Sequence, residues 1–257
     1  MSSMLRFPEL LSLFMEYISH HGLSLFSHML KYAGIPICIA SFLLSIPASP
    51  LKEPTIITLA QFRVDDHVWL IAGIMFFSFL GVILAISTAS IFTLHCLLHG
   101  ERPSDAMLRD GIQSSFIRIS VITFLLAITS SIGIILCVAP GIYILSAGTV
   151  MIPMMLHEQY SPVKSMQIGM RLIRNHALKP LAFSLFVFII TTMCITAIEL
   201  AMDYTISPIH EQLGRLSSMI IACLRLLGIG IILAFGTILY IELSRNKPMN
   251  PENALNN

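Results

Sequence analysis

The sequence is short of charge. Asp, Glu, Lys and Arg make up 11% of its 257 residues, against roughly a quarter in soluble domains. That is too little to cover the surface of a water-soluble enzyme. An excess of one sign is missing too. Fifteen Lys and Arg stand against 14 Asp and Glu, a net charge of +1, without the basic surplus of a nucleic-acid binder. Polar low-complexity tracts are scarce, and hydrophobic residues reach 56% with a mean hydropathy of +0.84, which excludes a disordered chain.

Paired cysteines are lacking as well. Cys38, Cys96, Cys137, Cys194 and Cys223 are odd in number, form no C-x-x-C pair and sit in or beside apolar runs. They read as small core hydrophobes rather than a disulfide framework or a metal site. No basic segment precedes the first apolar core. Glu9, Glu16, His20 and His21 stand there instead, so the N-terminal segment is read as retained rather than cleaved. Phosphate loops, nucleophile elbows and nucleotide fingerprints do not occur, which argues against an enzyme and calls for no cofactor.

What remains is apolar length. A helix needs about 20 apolar residues to cross about 30 Å of hydrocarbon. Runs at about 25–46 and 68–98 qualify. Residues 119–156 form one apolar stretch, which as a straight helix would reach about 57 Å. Pro140-Gly141 lies in its middle and divides it, because proline breaks the hydrogen-bond ladder and glycine permits a tight reversal. The resulting spans are about 119–138 and 142–157. Runs at about 180–200 and 217–243 complete six. The chain is thus predicted to be all-α, a single polytopic membrane domain over residues 1–257.

The basic residues orient it. Arg6, Lys31, Arg102, Arg109, Arg118, Lys164, Arg171, Arg174, Lys179, Arg245 and Lys247 fall on one side, and only Lys52, Arg63 and Arg215 on the other. The positive-inside rule then puts both termini in the cytoplasm. Trp69, Tyr143 and Tyr204 at outer span ends, and Tyr17, Tyr32, Tyr160 and Tyr240 near inner ends, suit the two interfaces.

Each odd-numbered span follows an amphipathic segment. Leu10, Leu11, Phe14 and Ile18 share a face in the first; Leu108, Ile112 and Phe116 do so in the second. In the third, Val163, Met166, Met170 and Ile173 form an apolar stripe beside Lys164, Gln167, Arg171 and Arg174, after a Ser161-Pro162 start. Such patterns fit three cytoplasmic helices lying in the headgroup plane; ordinary solvated loop helices are the alternative. The chain then parses three times as interfacial helix, span, span, with units starting near Pro8, Ser104 and Ser161.

Several stretches carry a resemblance. Residues 137–190 include Val138-Ala-Pro-Gly-Ile-Tyr143, Met151-Ile-Pro-Met-Met-Leu156, Ser161-Pro-Val-Lys-Ser-Met166 and Arg171-Leu-Ile-Arg-Asn-His176. Together with Gly100-Glu-Arg-Pro-Ser-Asp-Ala-Met-Leu-Arg109, they resemble the YciC-like family of bacterial inner-membrane proteins. A related pattern occurs in the membrane domain of some glycerophosphodiester phosphodiesterases, whose catalytic domain has no counterpart here. The likeness covers roughly 68–245. It implies a six-helix protein of the bacterial inner membrane and no particular activity.

Few residues could carry chemistry. Arg225 lies inside the sixth span, where a charge costs at least ~2.5–3.5 kcal/mol. It either pairs with Glu199 or Asp203, or holds an anionic ligand, or snorkels to the outer interface. His95 and His99 share a helix face, with Glu101, His157 and Glu158 on the same side; the zinc-protease spacing is absent and no metal site is assigned. Lys164, Arg171 and Arg174 would contact anionic lipid headgroups. Gly81, Ala85 and Ala89, and Gly230 with Ala234, permit close helix approach, within the chain or in a dimer. Pro36 and Pro153 should kink their spans.

No carboxylate pair sits mid-membrane, as a proton-coupled transporter would usually need. The reading is a non-enzymatic membrane protein acting through the bilayer or protein partners in envelope organisation, with no nucleic acid involved and homo-oligomerisation open. The alternative is a small-solute or lipid transporter.

Overall fold

The computed structural model describes residues 7–44, 64–136, 138–176, 178–206 and 211–245. Lys52, Arg63 and Cys137, and the side chains of Arg174 and Asp203, lie outside the described residues. Among those described, the elements are seven helices and no strand. They are α1 (Phe7–Leu44), α2 (Val64–His99), α3 (Asp105–Leu136), α4 (Val138–His157), α5 (Pro162–His176), α6 (Leu178–Ile206) and α7 (Glu211–Arg245).

Four segments are long and apolar enough to cross a membrane: Pro8–Leu43, Trp69–His99, Asp105–Ile135 and Met219–Ser244. Two shorter apolar helical segments are Tyr143–His157 and Ile189–Ala201.

The first two amphipathic segments are not separate helices. Each is the N-terminal part of a long one, α1 or α3, because no proline interrupts residues 9–35 or 104–136. In α3 a single buried stripe of Leu108, Ile112, Ser115, Ile119, Ile122, Leu126 and Ser130 runs almost the full length. The opposite face changes character instead. Arg109, Asp110, Gln113 and Ser114 are exposed, then Ile117, Val121, Phe124, Ile128, Ile132 and Ile135. An apolar outer face from Ile117 onward gives about 30 Å of lipid-compatible helix. The third segment has its own start and is described to His176. Ser161 and Pro162 start α5, and Pro180 falls in the first turn of α6, where its missing N–H costs nothing.

The 119–156 stretch is divided between α3, described to Leu136, and α4, described from Val138 with Pro140 in its first turn. Gly141 serves close approach: a Cβ there would sit 2.7 Å from Ile134 N and 2.8 Å from Ser130 O. Pro36 and Pro153 lie inside continuous helices.

α7 packs against α1, α2, α4 and α6. Its glycines share the task. Gly228 faces Ile195 and Thr191 of α6, Gly230 faces Met29 and Leu25 of α1, and Gly236 lies against Thr149 of α4. Gly81 abuts Ile37 of α1, and Ala85, Ala89 and Ala234 are fully buried. The small-residue faces therefore serve packing within the chain. Tyr240, Phe92, Phe235, Met151, Met154 and Met155 fill the centre.

From Phe14 to Met29, α1 advances about 22 Å. Their partners on α7, Phe235 and Gly230, are only about 7.5 Å apart along that helix. The N-terminal part of α1 therefore leans across α7 rather than running beside it.

Candidate functional site

Polar side chains gather at three places on this frame. The first lies between α6 and α7. Gly228 lets these helices close on Ile195 and Thr191, which brings Arg225 level with Glu199. Arg225 Nη2 donates to Glu199 Oε1 at 2.5 Å, with the side chains 62% and 28% exposed. Of the readings for Arg225, the geometry presents the pairing with Glu199. Pairing offsets part of the cost of placing either charge in hydrocarbon. Asp203, the other proposed partner, has its side chain outside the described residues.

The second site ties α1 to the start of α3. Ser104 caps α3, its Oγ accepting from Met107 N–H at 3.3 Å. Asp105 then faces three side chains of α1. Lys31 Nζ donates to Asp105 Oδ2 at 2.5 Å, His28 Nε2 lies 3.3 Å from Oδ1, and Tyr32 hydroxyl donates to the Asp105 carbonyl at 3.2 Å. Arg102 Nη2 adds a bond to the His20 carbonyl at 3.1 Å. Between α1 and α2 the buried Tyr17 hydroxyl donates to Thr93 Oγ1 at 3.0 Å.

The third site closes the α4–α7 seam. His157 Nδ1 lies 2.8 Å from the Tyr240 hydroxyl, which donates to Glu158 Oε1 at 3.2 Å. The hydroxyl thus serves as acceptor for one residue and donor to the next. Beside it, Arg118 Nη1 donates to Gln159 Oε1 at 2.5 Å, and Lys164 Nζ sits 4.7 Å above the Tyr160 ring. Burial, then the Glu158 carboxylate, pushes the Tyr160 hydroxyl above its ordinary pKa, so the ring under Lys164 stays neutral.

Lys164 and Arg171 are carried on α5, whose packed face is centred on Ser165 and Gly169. Gly169 lies against Met151 of α4. Val163, assigned to the apolar stripe from its spacing, is exposed. Small residues allow the closest contact, and they set which face turns inward. The side chain of Arg174 lies outside the described residues.

His95 and His99 stack face to face with centroids 4.4 Å apart, and His99 Nδ1 lies 3.3 Å from the His95 carbonyl. His157 is directed to Tyr240 instead of toward them. Among the described residues, no group of three or more His, Cys, Asp or Glu is placed to hold a metal.

Spacing along the chain did not single out Tyr17, His28, Asp105 or Tyr240 as contact residues. For Tyr17 a signal existed, since it follows Leu10 and Phe14 on the same helical face. Asp105 stands at the first turn of a capped helix. Its partners lie 73 to 77 positions away, beyond the reach of local pattern.

The fold defines an all-α, multi-pass membrane protein in class. No family model, no curated protein and no solved structure matches the chain.

Proposed function

We propose that the chain is a non-enzymatic, six-span protein of the bacterial inner membrane, as the YciC-like resemblance implies. Both termini are cytoplasmic, and it acts through lipid and protein partners in envelope organisation. The two shorter apolar helical segments in α4 and α6 supply the fourth and fifth spans. The threefold parse stands in this reading, with the amphipathic unit carried by α5 in the third repeat and by the N-terminal parts of α1 and α3 in the others.

The observation that carries the proposal is the close-packed bundle centre. At Gly236 the backbone of α7 rests against the Thr149 carbonyl of α4, and the surrounding large side chains are buried. Contacts this close hold helices together through packing and leave little room for a passing polar solute. Partners then meet the protein at its surface. There α5 offers Lys164, Arg171 and Arg174 to anionic headgroups.

One observation favours lipid transport as a second reading. An apolar cavity of about 290 Å³ lies between α1 and α7, lined by residues including Ile18, Leu25, Met29, Leu227 and Ile231. It suits a hydrocarbon chain better than a polar solute.

Native mass spectrometry of the protein extracted in its own lipids tests both readings. Each of Lys164→Gln, Arg171→Gln and Arg174→Gln should weaken retention of anionic lipid about fivefold, since a basic residue near the surface contributes about 1 kcal/mol. Unchanged lipid retention in the triple variant refutes the headgroup role. A single bound small polar solute, lost in Arg225→Gln, overturns the non-transport reading.

A further inference from the structure

Two contacts join α1 to α7, and a gap opens between them. Near the start of α1, Phe14 meets Phe235 edge to face with ring centroids 5.6 Å apart, so two long side chains bridge the helices. Further along, Gly230 has no side chain and Met29 lies against it. Gly22 falls between these contacts. A Cβ there would have only Ile18 atoms of its own helix within 4 Å, so α7 does not fill the space at that level. The result is the cavity of about 290 Å³, walled by Ile18, Gly22, Leu25 and Phe26 of α1 and by Leu227 and Ile231 of α7. None of its lining residues is charged. Leu23 at its edge is 87% exposed, so the cavity opens to the surroundings. At about 100° per residue, Leu11, Met15, Ile18, Gly22, Phe26 and Met29 share one face of α1. Leu11 and Met15 are exposed, and the cavity continues their outward-facing apolar stripe. Glu9, Glu16, His20 and Ser27 are exposed on the other side of the helix. On α7, Gly230 and Ile231 stand at the middle of the apolar segment Met219–Ser244, the depth at which a bilayer offers hydrocarbon and no water.

We propose that this cavity holds one acyl chain of a bilayer lipid as a resident part of the folded protein, and that it selects the chain and not the headgroup. Apolar walls give water no hydrogen-bond partners. An apolar cavity of ~150 Å³ stays dry and accepts a guest the size of benzene, so about twice that volume takes a chain segment on the order of ten carbons. A phosphate or ammonium headgroup finds no partner in this lining and stays at the interface. The chain supplies the contacts that the two helices do not make with each other between Phe14 and Met29. The gain is dispersion rather than transfer out of water, because lipid tails are as apolar as leucine. Residence requires only that the protein spans a membrane. The same cavity favours the lipid-transport reading above, but a resident chain need not cross the protein.

The test uses the full chain in phosphatidylethanolamine nanodiscs. The discs carry a trace of phosphatidylethanolamine or of phosphatidylglycerol with a diazirine midway along one acyl chain. After illumination, peptide mass spectrometry should find residues 18–29 and 227–231 labelled above the exposed apolar face of α3, and equally with the two headgroups. Gly22→Leu fills the space and should lose this excess, whereas Gly22→Ala leaves most of the cavity open and should keep it. Native mass spectrometry of the unlabelled parent needs no variant. One lipid per chain should survive the collisions that strip the rest. Labelling no stronger than on α3, an excess unchanged in Gly22→Leu, a preference for one headgroup, or a parent stripped of all lipid overturns the proposal. Because labelling reads occupancy and not passage, a failure of lipid transport leaves these outcomes untouched.

Discussion

Gly236 is the position where the packing of this bundle is most exposed to test. A methyl group placed there would lie 2.6 Å from Thr149 Cβ and 2.7 Å from the Thr149 carbonyl carbon. The obstacle includes backbone, which cannot rotate away, so α4 and α7 must separate. Overpacking of this kind costs about 1–3 kcal/mol. Alanine returns about 1 kcal/mol over glycine in a helix interior, leaving Gly236→Ala destabilised by up to about 2 kcal/mol. Gly230→Ala supplies the control on the same helix. Its new Cβ would meet Met29 Sδ at 2.6 Å and Cε at 3.3 Å, the far end of a flexible side chain. The propensity gain then dominates, and this variant should match the parent or exceed it by up to about 1 kcal/mol. Unfolding in mixed micelles, followed by far-ultraviolet circular dichroism, reads both. Gly236→Ala as stable as Gly230→Ala would refute the backbone contact between α4 and α7, and with it the main support for a closed bundle centre.

Three further outcomes follow from the polar contacts. Arg225→Gln and Glu199→Gln should each lower stability, and the double variant should show a coupling of about 1 kcal/mol, reduced from a buried pair by the exposure of Arg225; zero coupling in the micelle unfolding cycle returns Arg225 to a snorkelling role. Tyr17→Phe removes one buried hydrogen bond to Thr93 and should cost about 1 kcal/mol, whereas no loss would mean that Thr93 finds an equal partner on its own helix. Asp105→Asn unties Lys31 and weakens the His28 contact, so amides 105–108 should exchange hydrogen faster while those of 120–130 keep their protection. Equal rates across α3 would show that the tie to α1 does not hold the helix start.

Class, all-α architecture and the apolar segments were legible in the residue order alone. Apolar length against bilayer thickness is a one-dimensional property, and 119–156 had to break because no straight helix of that length fits the membrane. The need for a break was legible, whereas the part of Gly141, which lets α3 and α4 touch, was not. Arg225 could be singled out by its cost in hydrocarbon, while the choice of Glu199 as partner needed the α6–α7 contact made at Gly228.

Packing between helices set which faces meet. Val163 reads as packed from its spacing and is exposed, since Ser165 and Gly169 allow a closer approach to α4. It also decided that the first two amphipathic segments continue into spans, that Asp105 gathers the α1 side chains, and that Tyr240 bridges His157 and Glu158. Helical periodicity fixes the faces of one helix. The pairing of faces depends on shape and on where small residues let backbones close, and those contacts join residues far apart in the chain.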